Sequence, residues 1–71
     1  MQQNTKARGQ RFVVTFEWDE MDGFVNGRAV LRAETEDVKV YALSAAAALA
    51  MGREMLADYD EGTTLRAVNP A

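Results

Sequence analysis

The sequence predicts a small α+β domain: a three- to four-stranded, mostly antiparallel sheet in the order β-β-β-α-β, with one helix packed on one face. Three observations point there. Residues 10–18 alternate in hydrophobicity with period two. An alanine-rich stretch that begins at residue 45 carries an apolar stripe at helical spacing. Turn signals at Asp19–Gly23, Asn26-Gly27 and Glu61-Gly62 cut the chain into short segments. With 71 residues there is room for one domain and one small core, and a chain of this size buries only about 60% of its unfolded surface.

Residues 1–9 are polar and are expected to be a flexible N-terminal segment, leaving a single domain over residues 10–70. In the first strand Phe12, Val14, Phe16 and Trp18 share one parity, and Arg11, Val13, Thr15 and Glu17 the other. Aromatic and β-branched residues in strict alternation make a half-buried strand. Asp19-Glu-Met-Asp-Gly23 breaks it. Asn26-Gly27 is a second turn signal, because both residues tolerate positive φ. The connection from Trp18 to Arg28 therefore reads as a loop or an irregular hairpin. Arg28 to Glu34 has residues that favour helix, but a length and flanking turns that favour a strand. Thr35-Glu-Asp37 reads as a tight connection. Asp37 to Leu43 alternates again, with Val38, Val40 and Ala42 on one parity, and reads as a strand paired with Arg28 to Glu34.

Ser44 suits an N-cap, since its hydroxyl can accept from an early helical amide. A helix is predicted from Ala45 to about Asp58, with Ala45, Ala48, Leu49, Gly52, Met55, Leu56 and Tyr59 as its core stripe. Ala46, Ala47, Ala50, Met51 and Ala57 fall off that stripe. Gly52 inside a helix costs about 1 kcal/mol against alanine, and close approach to the sheet is the compensating return. Thr63 to Val68 reads as the last strand, ended by Asn69-Pro70, because proline cannot donate to a ladder.

Composition removes several kinds of chemistry. There is no cysteine and no histidine, so thiolate chemistry, nucleophile–histidine pairs and His/Cys zinc sites are excluded. Eleven acidic against eight basic residues give a net charge of −3, which argues against direct nucleic-acid binding. Lys6, Arg8 and Arg11 read as a solvated end. The alanine run is far shorter than the roughly 20 apolar residues of a membrane span. No apolar leader is visible, so a cytoplasmic protein is the expectation. Asp19-Glu-Met-Asp-Gly23 lacks the register of a calcium loop, and Gly23 and Gly27 are not followed by the Lys-Ser/Thr of a phosphate loop. No cofactor, no metal and no enzymatic activity are expected.

The candidate site is a protein-binding one. Trp18 can be a core-edge residue or an interface anchor. Asp19, Glu20 and Asp22 crowd the first predicted turn, and Glu36 and Asp37 the next, where they can meet a basic surface. Carboxylates in turns are also simply solvated. The off-stripe alanines with Met51 are either plain helix formers or a smooth surface for a second chain.

Gln10-Arg-Phe-Val-Val-Thr-Phe-Glu17, Val40-Tyr-Ala-Leu-Ser44, a helix ending near Tyr59, Gly62 and the closing Val68-Asn-Pro70 resemble one bacteriophage family. It comprises the small early proteins of short-tailed lytic phages that bind and inhibit host bacterial RNA polymerase. The resemblance covers the first strand and Val38 to Pro70. It implies strands around one helix, binding to the largest polymerase subunit, and use of last-strand arginines together with an acidic stripe. Arg66 is the basic residue of the last strand here, and Ala67 and Asn69 occupy the positions aligned with the family's arginines. The expected function, in the cytoplasm of a bacterial host cell, is occlusion of a host protein, with bacterial RNA polymerase as the target that the resemblance implies, through Trp18, Asp19, Glu20, Asp22, Glu36, Asp37 and Arg66. The alternative is a self-assembling structural or adaptor module that forms a homo-oligomer such as a homodimer.

Overall fold

The computed structural model describes residues 8–71, so the part of the expected flexible segment over residues 1–7, with Lys6, lies outside the described residues. Strand β1 runs over Gln10–Val25, β2 over Arg28–Ala42 and β3 over Thr64–Pro70, and helix α1 over Ala45–Leu56. The sheet order is β2-β1-β3, with β1 antiparallel to both neighbours. This is the expected α+β class with a three-stranded sheet. Because β2 and β3 run the same way with β1 between them, the return from one to the other must cross the sheet. Helix α1 makes that crossing.

Two expectations are corrected. Of the two readings of the chain from Trp18 to Arg28, the irregular hairpin holds and the loop does not: β1 and β2 form one long hairpin whose connection is Asn26-Gly27 alone. Asn26 has φ 53° and Gly27 φ 80°, as a tight two-residue reversal with right-handed strand twist requires. The Asp19–Gly23 break is a β-bulge. Met21 faces Leu31 and Gly23 faces Val30, which leaves Asp22 as the extra residue, and Gly23 takes φ 130° there. Likewise Thr35-Glu-Asp37 is not a connection. It pairs with Glu17, Phe16 and Thr15 in the middle of β2, so the two strands expected over residues 28–43 are one.

The physical reason is the length of the cover. A 12-residue helix is roughly 18 Å long, whereas a 16-residue strand reaches about 50 Å. Alternation of apolar and polar residues persists only under the helix. Beyond it charged and apolar residues mix on both faces, and the strands continue without reversing direction.

Under the helix the packing follows the period-two reading. Phe12, Val14 and Phe16 are buried on one face of β1. Phe12 and Val14 face Val40 and Val38 of β2 and Pro70 and Val68 of β3. Ala42 and Ala48 complete the buried set. Ser44 caps α1, its Oγ accepting from the Ala47 amide at 3.1 Å. Along the predicted stripe Ala48 and Gly52 are buried, Leu49, Met55, Leu56 and Tyr59 are half-buried, and Ala45 is exposed. Ala47 departs from expectation, because it is half-buried and packs against Phe12, Ala42 and Ala48. Gly52 stands where a Cβ would meet Leu65 Cδ1 at 2.7 Å and Val14 Cγ1 at 2.9 Å. The glycine lets the helix axis approach the sheet that closely, as its helical position suggested.

Candidate functional site

The strand register fixes which side chains share a surface. Counting outward from the core, the helix-side face of the hairpin continues through Trp18, Glu34, Glu20 and Arg32. The other face is open along its length, and no element covers it among the described residues.

At the margin of the core, Tyr59 follows α1 and returns towards the sheet. Its ring stacks on Phe16 at 4.5 Å between centroids and lies tilted beside Trp18 at 6.5 Å. Its hydroxyl donates to Glu36 Oε1 at 2.8 Å. That hydrogen bond, partial desolvation and the negative charge of Glu36 together raise the phenol pKa above its ordinary value. Trp18 Nε1 donates to Glu20 Oε1 at 2.8 Å. Trp18 is thus half-buried and tied into the fold on one side.

Strand β3 meets β1 only as far as Glu17, opposite Thr64. Past that point the chain of Asp60–Thr63 diverges and leaves an open cleft of about 570 Å³ beside the margin of β1. Trp18, Tyr59 and Met21 give it an aromatic and apolar lining. Asp19, Glu20, Glu36, Asp60 and Glu61 also line it, and no Lys or Arg does. None of these five carboxylates takes part in an ion pair among the described residues.

Farther out the hairpin projects as a bare arm. From Asp19 to Val25 it extends about 23 Å at the usual strand rise. On its open face lie Met21, Phe24 and Leu31, and on the other Val25 and Val30. All five are exposed; Phe24 reaches 67%. Arg32 braces the bulge, with Nη1 2.8 Å from Asp22 Oδ1 and Nε 2.6 Å from Glu34 Oε2. Half-exposed pairs of this kind contribute about 0–1 kcal/mol, so they orient the arm more than they stabilise it.

The sequence-predicted residues therefore divide. Trp18, Asp19, Glu20 and Glu36 come together at the cleft. Asp22 belongs to the arm. Asp37 sits on the open face and accepts from Thr15 Oγ1 at 2.8 Å. Arg66 is the extra residue of a second bulge, between Thr15 and Phe16 in the pairing of β1 with β3, with Nη1 3.5 Å from Glu17 Oε2. The acids on β1 and β2 lie in strands, not in the turns expected for them. Reading the sequence missed Phe24, Val25, Val30 and Leu31, although apolar residues on both sides of Asn26-Gly27 are a hairpin signal. It also placed Tyr59 only in the core.

No family model, no curated protein and no solved structure matches this chain. Among the described residues no helix is long and apolar enough to cross a membrane, and no group of three or more acidic side chains is placed to hold a metal ion.

Proposed function

We propose that this protein acts without catalysis, by binding another protein through its projecting hairpin and occluding the surface on which the hairpin lands. The observation that carries this reading is the arm itself. Met21, Phe24 and Leu31 are exposed together on one face of this short segment, and Val25 and Val30 on the other, and an exposed apolar cluster generally marks an interaction site. Phe24 at the tip is the natural anchor, since aromatic residues dominate the energetics of interfaces. The acidic cleft behind the arm favours a basic partner surface and speeds encounter with it.

Bacterial RNA polymerase is the first target to test, on the family resemblance of the first strand and of residues 38–70. Purified polymerase is passed over the immobilised protein and over its Phe24→Ser/Leu31→Ser variant. Retention by the parent and loss by the variant is the expected result. Failure of both to retain polymerase removes that target. Capture of one other enzyme from a bacterial lysate, again dependent on Phe24 and Leu31, keeps the occlusion reading with a different partner.

A second reading has its own observation. Among the described residues the outer edge of β2 is unpaired along all 15 residues, and unprotected edges template pairing with further copies. Recovery of the bait alone, with a concentration-dependent dimer in solution, favours this self-assembly.

A further inference from the structure

The free margin of β1 differs from that of β2 in what surrounds it. Between Trp18 and Val25 the strand has β2 on one side and, among the described residues, no paired strand on the other, because β3 ends its pairing at Glu17. A vacant lane thus continues the line of β3. The cleft opens onto this lane at Trp18–Met21. Its lining includes Trp18 and Tyr59 together with five acidic residues and no basic one. Of the eleven carboxylates only Glu17, Asp22 and Glu34 have ion-pair partners among the described residues, and here five of the others are gathered round one cleft. The cleft is therefore complementary in charge to a cation from outside. An ammonium needs only the charge. A guanidinium also matches the aromatic surface, because its plane stacks on rings while its edge donates to carboxylates.

We infer that the vacant lane along β1 receives an extended, arginine-bearing segment of the partner protein, which pairs in line with β3 and places a guanidinium in the cleft of Trp18 and Tyr59. This rests on the protein-binding reading above and names the partner's chemistry. Main-chain pairing at an exposed edge supplies affinity that any sequence can share, and the cleft supplies selection for the side chain. Asp60 and Glu61 stand across the cleft from β1, in the chain that leads into β3, and neither makes a side-chain hydrogen bond among the described residues. They are the groups free to meet the incoming charge.

The probe is the peptide acetyl-Thr-Arg-Val-Arg-Thr-amide, titrated into the full chain and followed by Trp18 fluorescence and by amide and indole NMR shifts. Saturable shifts at Trp18–Asp22 and Asp60–Thr63 are expected, with slowed amide exchange along Trp18–Asp22. Binding should weaken with added salt, and by roughly tenfold in Asp60→Asn/Glu61→Gln, about the loss of one charge-assisted contact. Those two positions are exposed, so the thermal midpoint should not move. A peptide with citrulline in place of arginine keeps the shape and the backbone but loses the charge. Equal binding by that peptide, saturable shifts on the β2 edge or on the open face instead, or no saturable binding at millimolar peptide each overturn the inference. The arm variant Phe24→Ser/Leu31→Ser separates the two proposals. Partner retention that needs the arm, with no peptide bound, leaves the protein-binding reading standing and sinks the lane. Peptide bound at the lane, with partner retention indifferent to the arm, does the reverse to the hairpin.

Discussion

Gly52 shows how a single missing methyl group sets the spacing between helix and sheet. Alanine there would gain about 1 kcal/mol of helix propensity. It would also place a Cβ 2.9 Å from Val14 Cγ1 and 2.7 Å from Leu65 Cδ1. The leucine terminus can swing aside, but Val14 is fully buried and β-branched, so its methyl has nowhere to go. Overpacking of this kind costs about 1–3 kcal/mol and outweighs the propensity. Gly52→Ala is therefore expected to lower stability by a net 1 kcal/mol or so, read as an earlier urea midpoint at unchanged slope. Tyr59 makes a different prediction. Its folded pKa is raised, first by its hydrogen bond to Glu36. A raised folded value means that the native state holds the proton more tightly than the unfolded chain. The contribution is complete below the unfolded pKa, near 10, and is lost as pH rises from there through the folded value. Tyr59→Phe lacks the hydroxyl and cannot titrate. The stability gap between parent and variant should stay constant up to about pH 9 and narrow above pH 10, measured as urea midpoints across that range. A gap that widens with alkali would contradict the assigned hydrogen bond.

At the level of elements, the hairpin divides into a covered half and a bare half. Phe12–Glu17 has paired strands on both sides and α1 above; among the described residues Asp19–Val25 pairs with β2 alone. Local opening is governed by such differences in cover. Amide exchange in the arm should accordingly be much faster than at Phe12–Phe16 under identical conditions, with the Phe24→Ser/Leu31→Ser variant changing global stability little. The same division explains what could be read in advance. The alternation at Phe12–Phe16, the Ser44 cap, the close approach at Gly52 and the Asn26-Gly27 reversal are local signals with local causes, and all were legible. The continuity of β1 through Asp19–Gly23 was not. Acidic residues and a glycine in a row look like a chain reversal, and only pairing to Ala33–Val30 through a bulge makes them a strand. Thr35-Glu-Asp37 misled in the same way, because polar composition marked the end of helix cover and not a turn. The cleft was half legible. Trp18, Asp19, Glu20 and Glu36 stood out by type, whereas Asp60 and Glu61 reach it only through the tertiary return at Tyr59.

As a whole, the molecule is built around β1, which touches every other element. Order along the chain then has a consequence for the route of folding. The hairpin and α1 precede β3 in sequence. Phe16, one of the two largest fully buried side chains, faces Leu65, and Val14 faces Val68. Both partners lie in β3. Until Thr64–Pro70 docks, the folding chain presents two unclosed ledges: the permanent one beyond Trp18 and a temporary one from Phe12 to Glu17. A segment able to occupy the first can also occupy the second, so the β3 of another copy can take the place of the chain's own and leave two molecules with exchanged strands.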